Sequence, residues 1–310
     1  IMAAGGGIMS TVRATRAASD DELLAATRTR LDRMLSLGTT TVEAKTGYGL
    51  DGETERRMLR VIEELNRSHA IELVPTYLGA HAVPAEYIGR ADDYTDFIVD
   101  DLGKLAAEGQ PIEFVDVFCD AGAFTVEQSA AILTRARALG YRIKIHADEF
   151  AHLGGAALAA RLGAISADHL AVTPAEDRAA LAEAGVVAVV LPGTSFGLGH
   201  AHYADARALI DAGATVALAT DLNPGTCVCE SMPFMVALAC RYTGMTPGEA
   251  VIAATRNAAA AVGRERENGS LTVGKVADIL LLDVADYRWL AYGFGDNPVV
   301  RVIKRGTVVR

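Results

Sequence analysis

The sequence predicts an α/β protein, a TIM-like (β/α)8 barrel with a small β-rich domain appended. Three observations support this prediction. Seven short apolar or β-branched runs alternate with helical patterns, which is typical of a parallel sheet covered by helices. Polar residues follow nearly every run, as they do at the carboxyl-terminal mouth of a barrel. After Gly263 the sequence becomes rich in turn-forming residues and contains two strand-like runs.

The composition is that of an ordinary globular protein. The 310 residues are 51% hydrophobic and suit one large domain, or one with a small partner. The net charge of −10, without a cluster of Lys or Arg, argues against nucleic acid or an anionic membrane as partner. No apolar run reaches the ~18 residues of a membrane span. The four cysteines suit a cytosolic enzyme, so we expect a cytoplasmic location.

The first half of the chain repeats a strand–helix pattern. An amphipathic segment at 20–37 follows Ser19 as N-cap and stops at Gly38, which predicts a helix. The β-branched run 39–45 is predicted to be a strand. The same alternation predicts helices at 52–67, 92–108 and 125–139, and strands at 71–78 and 112–119.

The run that ends at His146 is the centre of the pattern. Residues 143–146 alternate and are rich in Ile, which predicts a buried strand. Gly154 and Gly155 then precede an Ala/Leu-rich helix. His146 and Glu149 should therefore lie where a strand gives way to a loop, and parallel α/β proteins place their chemistry there.

The second half continues the alternation. Residues 186–191 form a continuous apolar run, as expected of a strand buried on both faces. A helix is predicted at 174–184, with Thr173 as N-cap and Pro174 in the first turn. The remaining predictions are helices at 153–162, 203–212, 231–241 and 247–262, and strands at 164–168 and 215–220.

These elements give seven strands, whereas a closed barrel needs eight. An open doubly wound sheet is the alternative fold. We prefer the barrel because polar residues follow nearly every strand and are not confined to one switch point. The chain does not begin with Met, and we expect it to be cut from a longer protein whose eighth strand precedes Ile1. Residues 1–264 are assigned to the barrel and 265–310 to the C-terminal part of a small β domain.

The predicted strand ends bring imidazoles and carboxylates to one mouth. His nitrogen and Asp oxygen are good ligands for Zn²⁺ or Fe, and a bound metal with an open position activates water. We interpret His146 and Asp221 as ligands, and His169 as either a ligand or a close neighbour of the metal. The polar residues at the strand ends, in chain order, are Lys45, Tyr48, Gly49, His81, Asp120, His146, Asp148, Glu149, Asp168, His169, Asp221, Asn223, Gly225 and Thr226.

Several of these residues also have structural explanations. His81 could be a packed loop histidine, Tyr48 could fill a turn, and Asp221 could cap the turn that follows it. Lys45 and Lys144 could pair with neighbouring acids, or one of them could form a Schiff base. Residues 200–202 have the H-x-H pattern, but they precede a helix and do not end a strand, so they are not favoured as metal ligands.

Five motifs together resemble the imidazolonepropionases, a family of metal-dependent amidohydrolases in histidine degradation. The resemblance runs from about residue 4 to the C-terminus. The motifs are Thr46-Gly47-Tyr48-Gly49-Leu50, Gly79-Ala80-His81, Ile145-His146-Ala147-Asp148-Glu149, Asp168-His169-Leu170 and Thr220-Asp221-Leu222-Asn223-Pro224-Gly225-Thr226.

The resemblance implies a reaction and a metal. The family hydrolyses 4-imidazolone-5-propanoate, a small molecule, to N-formimidoyl-L-glutamate. Its single zinc or iron ion is bound by an H-x-H pair on the first barrel strand, a His on the fifth and an Asp on the eighth. By this resemblance His146 and Asp221 are the last two ligands. The H-x-H pair and a substrate-binding Arg after it have no match, and we expect both before Ile1.

The resemblance also implies roles for the other site residues. Asp221 would accept a proton from water, Glu149 would touch the ring and shuttle protons, and His169 would stabilise the oxyanion. The sequence does not decide the oligomeric state, and a homodimer is one alternative. The implied substrate contacts are Tyr48, His81, Glu149, Asn223, Gly225 and Thr226.

Three rival functions stay open at this point. One is another cyclic-amide hydrolase or deaminase of the same superfamily. Another is a Schiff-base aldolase barrel that uses Lys144 or Lys45. The third is an inactive fragment that lacks two metal ligands.

Overall fold

A parallel sheet forms the body of the protein in the computed structural model, which describes residues 7–310. Each strand pairs in parallel with the next one along the chain, in the order β1 to β7. A doubly wound sheet reverses its order at a switch point. The unbroken order therefore confirms the barrel-like fold, here a curled half-barrel. The strands are β1 Thr41–Lys45, β2 Glu72–Ala80, β3 Phe114–Cys119, β4 Arg142–Ala147, β5 Ser166–His169, β6 Val187–Val190 and β7 Val216–Leu218.

Helices fill the connections between the strands and cover the outside of the sheet. Their bounds agree with the predicted helices to within a few residues for most of the chain. They are α1 Ile8–Ala17, α2 Asp20–Ser36, α3 Gly52–Ser68, α4 Ala91–Glu108, α5 Val126–Ala138, α6 Gly155–Leu162, α7 Ala175–Ala184, α8 Pro192–Leu198, α9 Ala206–Asp211, α10 Met232–Tyr242, α11 Pro247–Ile252, α12 Ala258–Ala261 and α13 Trp289–Tyr292.

Helix starts are set by side-chain caps. Ser19 accepts a hydrogen bond from the backbone N–H of Glu22, whose carboxylate accepts one from the N–H of Ser19, so the predicted cap of α2 is confirmed. The predicted cap of α7 is wrong. Pro174 occupies the N-cap position, and the hydroxyl of Thr173 donates instead to Oδ2 of Asp148, at 2.8 Å.

Three helical features were not predicted. Helix α1 begins after Gly7, and α8 begins at Pro192, directly after the apolar run 186–191. The long helix predicted at 247–262 is interrupted by a π-helical segment, Ala253–Asn257. There the side chain of Asn257 donates to the backbone carbonyl of Val216 in β7, at 2.8 Å. The break in the α-helix thus coincides with a contact between two residues that are 41 positions apart in the sequence.

At β4 the sheet has an apolar outer face and a polar inner face. In β4, Ile143, Ile145 and Ala147 are buried in the main hydrophobic core between sheet and helices. The alternate residues Lys144 and His146 point to the other face, because side chains alternate along a strand. Their partners are the carboxylates of Glu43 in β1 and Asp116 in β3, so this part of the interior of the half-barrel is charged.

A small antiparallel sheet lies at the C-terminal end, as predicted. It has the order β10-β9-β8, with β8 Ile279–Leu282, β9 Val299–Lys304 and β10 Thr307–Val308. Val299 and Val302 of β9 pack against Leu31, Met34 and Leu35 of α2 in a separate core cluster. The sheet is therefore anchored to the barrel body through α2. No helix within residues 7–310 is long and apolar enough to cross a membrane.

Candidate active site

A network of buried charges fills the interior of the half-barrel. The ammonium of Lys45 lies 2.7 Å from Glu43, 2.8 Å from Asp116 and 3.5 Å from Asp168. The ammonium of Lys144 lies 2.6 Å from the second oxygen of Glu43. Three carboxylates and two ammoniums therefore compensate one another where desolvation would otherwise be severe.

This network keeps Lys45 charged. Burial disfavours the ammonium, but Asp116, Glu43 and Asp168 outweigh it and hold the pKa of Lys45 well above its usual range. A Schiff-base nucleophile must instead lose its proton near neutral pH, which requires a lowered pKa. The amine of Lys144 is engaged in its ion pair with Glu43. The geometry thus argues against the aldolase alternative.

His146 is oriented by Asp116. Nδ1 of His146 lies 3.1 Å from the carboxylate of Asp116, on the adjacent strand β3. Burial opposes the charged imidazole, but the carboxylate prevails and raises the pKa of His146 to about 9. With Nδ1 engaged, Nε2 is the nitrogen left to point into the mouth, the arrangement found for metal-ligating histidines.

His169 and Glu149 face each other beside His146. Nε2 of His169 is 3.5 Å from the carboxylate of Glu149, and its ring centroid is 5.3 Å from that of His146. Burial lowers the pKa of His169 to about 4. Burial and the charge of Asp221 raise the pKa of Glu149 to about 8. At neutral pH the site therefore holds a neutral imidazole and a protonated carboxyl group.

Asp120 fixes the loop that carries Glu149. Its Oδ2 accepts hydrogen bonds from the backbone N–H groups of Glu149 and Phe150, at 2.7 and 3.0 Å. Its Oδ1 accepts from Ala151 at 3.0 Å and from Ala121 at 2.6 Å. The carboxylate of Asp120 thus fixes the loop backbone, and both of its oxygens are occupied by hydrogen bonds.

Tyr48 and His81 form the opposite wall. Their rings meet edge to face with centroids 5.1 Å apart, and the His81 ring lies 6.5 Å from that of His146. Nδ1 of His81 is 3.0 Å from the backbone carbonyl of Gly47. Burial, with the charge of His146, lowers the pKa of His81 to about 4. His81 is thus neutral, and because Nδ1 donates to the Gly47 carbonyl, Nε2 is left as an acceptor.

Glu55 holds the Tyr48 loop, although its position in the sequence gave no sign of this. Its buried carboxylate accepts hydrogen bonds from the N–H groups of Gly47, Gly49 and Leu50, at 2.9, 2.8 and 2.8 Å. Burial raises its pKa, and the three donors oppose that shift. Gly47 has a φ of +97°, and a Cβ there would lie 2.6 Å from the carbonyl oxygen of Leu78. The loop is therefore a tightly fixed element.

Asp221 lies in a loop that is closed by its own side chains. The hydroxyl of Thr194, in α8, donates to Oδ2 of Asp221. Asn223 donates to the carbonyl of Asp221 at 2.8 Å and to the hydroxyl of Thr226 at 2.9 Å. Its Oδ1 accepts from the N–H groups of Gly225 and Thr226, at 2.8 and 2.7 Å. The amide of Asn223 therefore shapes the loop from inside.

The charge of Asp221 acts on four of the predicted site residues. Burial and the negative charge of Asp221 raise the pKa of Tyr48 above its usual range. The same charge raises the pKa of His81, Glu149 and His169 relative to what the other groups around them would give. Both His169, at φ +80°, and Asp221, at φ +49°, adopt the left-handed region that non-glycine residues rarely adopt. Such strain is typical of functional sites.

Comparison with known proteins agrees with this geometry. The amidohydrolase family profile matches residues 4–310. Curated imidazolonepropionases of Herpetosiphon aurantiacus and Symbiobacterium thermophilum are 54% and 52% identical, each over 100% of this chain and 74% and 73% of their own length. The chain belongs to the imidazolonepropionase family of amidohydrolases.

The fold of this chain is also found in solved structures of other proteins. A guanine deaminase from Bradyrhizobium japonicum aligns with a TM-score of 0.73 at 15% identity, over 97% of this chain and 77% of its own. An adenosine deaminase from Xanthomonas campestris, with bound zinc, aligns with a TM-score of 0.71 at 18% identity, over 95% of this chain and 71% of its own. The chain spans about three quarters of the length of its curated relatives.

The two histidines of the H-x-H pattern do not converge in this imidazolonepropionase-family structure. His200 lines a small cavity with Glu149, His169 and Thr194, whereas His202 lies on a separate surface groove. They are not a chelating pair.

Asp116, Glu43 and Glu55 are the important residues that sequence reasoning missed. Asp116 could have been found, because it is a carboxylate in the middle of the apolar run 114–119. Glu43 sits within the β1 run in the same way.

Proposed function

We propose that the chain hydrolyses 4-imidazolone-5-propanoate to N-formimidoyl-L-glutamate in histidine degradation. The observation that carries this proposal is the pairing of His169 with Glu149 beside His146, on the motifs shared with the family. The relatives that are about half identical over the whole chain bear this name. The protonation states of the pair suit hydrolytic opening of a cyclic amide.

His146 and Asp221 fit a zinc or iron ion. An imidazole nitrogen and a carboxylate oxygen are donors that both metals accept. His146 is presented through Nε2 because Asp116 engages Nδ1. When bound, the ion would act as a Lewis acid and lower the pKa of water toward neutrality.

Proton transfer is divided between two carboxyl groups. Water attacks the ring carbonyl carbon, and Asp221 accepts its proton. His169, a neutral donor, stabilises the negative charge that develops on the carbonyl oxygen. The bond from this carbon to the ring nitrogen then breaks, and Glu149, protonated near neutral pH, donates a proton to that nitrogen. The carbonyl carbon ends as a carboxylate and the nitrogen stays in the formimidoyl group.

Substrate contacts come from two walls. Tyr48 and His81 offer a hydroxyl and an imidazole to the ring and to the propanoate. The raised pKa of Tyr48, caused by burial and by Asp221, keeps its hydroxyl protonated as a donor. Asn223, Gly225 and Thr226 are proposed to hold the carboxylate end, with the loop shape maintained by the Asn223 side chain.

A substrate comparison tests this function. A full-length version that carries the expected H-x-H pair, supplied with Zn²⁺ or Fe²⁺, is assayed with 4-imidazolone-5-propanoate, hydantoin and pyrimidine substrates, with N-formimidoyl-L-glutamate as the measured product. We expect turnover of the imidazolone and its loss after chelation. Preference for hydantoin or a pyrimidine, or turnover that survives Glu149→Gln unchanged, would contradict the proposal.

A further inference from the structure

A second group of potential metal ligands lies behind the loop that carries Glu149. Asp148, His152 and Asp177 each offer one donor atom, and these atoms lie within 4.8 Å of one another. Asp148 follows β4, His152 ends the loop and Asp177 lies in the first turn of α7. The cluster thus joins the active-site loop to the neighbouring helix, with residues that the proposed hydrolysis does not use.

Asp148 provides independent evidence for a ligand. The residue is completely buried, and its Oδ2 accepts from Thr173 at 2.8 Å. Its Oδ1 is also buried, and none of the residues from 7 to 310 donates a hydrogen bond to it. Leaving a buried acceptor unsatisfied costs about 1–3 kcal/mol, and more for a charged group. An oxygen of this kind, next to His152 and Asp177, is explained by a bound cation.

The spacing of the other two donors suits one metal ion. Nε2 of His152 lies 2.9 Å from Oδ2 of Asp177. Two ligands at ~2.1 Å from a tetrahedral metal are separated by ~3.4 Å, so a small outward shift of this pair gives the separation of adjacent ligands. His152 is partly exposed, with 44% of its side chain accessible, which leaves a route for the ion from solvent.

The surroundings favour positive charge. Asp120 and Glu176 act electrostatically on Asp148 and His152 in addition to the two aspartates of the cluster. Imidazole together with carboxylate oxygens is a donor set for ions such as Zn²⁺. Coordination by three protein groups leaves further positions for water.

We propose that Asp148, His152 and Asp177 form a second binding site for a divalent transition-metal ion of the Zn²⁺ class. The ion fastens the loop 148–152 to α7. Asp120 fixes the same loop from its other side through backbone N–H groups, so the two contacts together immobilise Glu149.

Metal stoichiometry tests the site without any reference to activity. The chelator-treated chain and its variants His152→Asn and Asp177→Asn are dialysed against Zn²⁺, and bound zinc is counted by atomic emission and by calorimetric titration. We expect both variants to bind one ion fewer, or that ion at least about tenfold more weakly. Asp32→Asn is the matched control, because it removes the carboxylate of another His–Asp pair, at 3.3 Å from His69.

A second readout separates metal binding from simple structural support. Zn²⁺ should slow hydrogen exchange of the backbone amides at 149–153 in the unmodified chain, and should have no effect on them in His152→Asn. Equal zinc binding by the unmodified chain and both variants would overturn the proposal. So would equal loss of zinc in the Asp32→Asn control.

Discussion

Asp116 accepts a hydrogen bond from Nδ1 of His146 across the β3–β4 pair, at 3.1 Å. Asp116 is completely buried, and it also pairs with Lys45, at 2.8 Å, and accepts from the N–H of Val117, at 2.8 Å. The carboxylate thus links a histidine that we propose as a metal ligand to the charged interior of the half-barrel. Carboxylate partners of this kind set the tautomer and ring orientation of metal-binding histidines.

Asp116→Asn is expected to weaken metal binding about 10- to 100-fold, because the amide no longer supplies a full negative charge to Nδ1. The measurement is calorimetric titration of the chelator-treated chain with Zn²⁺. Asp101→Asn is the matched control, since Asp101 is equally buried and pairs with Arg56 at 3.0 Å, among helices. Comparable metal affinity in both variants would show that Asp116 supports the fold alone.

Asp120→Asn is expected to loosen the loop that carries Glu149. In the variant, the NH2 group of Asn faces backbone N–H groups that donate hydrogen bonds to the carboxylate of Asp120 in the unmodified chain. Each charge-assisted hydrogen bond that is lost contributes about 1.5–3 kcal/mol to stability. Hydrogen exchange of the amides of Glu149, Phe150 and Ala151 should accelerate, and kcat should fall. Asp205→Asn also alters a carboxylate that accepts a backbone N–H, at 2.9 Å from Ala208, and should leave these amides unchanged.

The fold could be predicted largely because its strands are buried. Strands covered on both faces, such as β6, read as continuous apolar runs that need no partner to be recognised. Helix α2 was delimited by a local signal, the Ser19–Glu22 capping box. Helix α8 was missed because its Pro- and Gly-containing sequence resembles a loop, and the π-helical segment depends on Asn257 meeting Val216.

The site was predictable only at its strand ends. His146 and His169 lie at the carboxyl ends of β4 and β5, and Asp221 follows β7; parallel strands bring such residues to one mouth. Glu55 lies in the charged first turn of an amphipathic helix, where its sequence context matches a solvent-exposed residue. Only the three-dimensional approach of the Tyr48 loop makes its carboxylate an acceptor, so no local pattern could have indicated it.

Glu55→Gln is expected to destabilise the Tyr48 loop. One oxygen of the carboxylate becomes an NH2 group that faces the N–H of Gly47, which leaves that buried donor only its longer contact of 3.2 Å to the other oxygen. The free energy of unfolding should fall by about 1–3 kcal/mol, and KM for the imidazolone should rise because Tyr48 is displaced. Glu53→Gln on the same turn, with 75% of its side chain exposed, should change stability by less than about 0.5 kcal/mol. Denaturant unfolding measures both, and equal effects would contradict the assigned role of Glu55.

Glu149→Gln should stabilise the chain in alkaline solution while it abolishes activity. Burial and Asp221 raise the pKa of Glu149 from 4.5 to about 8, so between these values the folded chain holds a proton that the unfolded chain has lost. The free energy of unfolding therefore falls as pH rises from 4.5 to 8, and above pH 8 the full penalty of burying the carboxylate is present. Glutamine carries no charge, so the variant should be more stable than the unmodified chain by a few kcal/mol, on the order of the shift, at pH 9, and equal to it near pH 4.5.

Denaturant unfolding from pH 4.5 to 9, after chelator treatment, measures this difference for Glu149→Gln. Glu183→Gln, at an exposed position on α7, serves as the control. Because protonated Glu149 is the proposed proton donor to the ring nitrogen, the same substitution removes turnover. A gain in stability with loss of activity is the pattern expected of a group kept in an unfavourable environment for catalysis. A stability difference that grows toward pH 4.5 would show that Glu149 is buried as a carboxylate and would remove it as the acid.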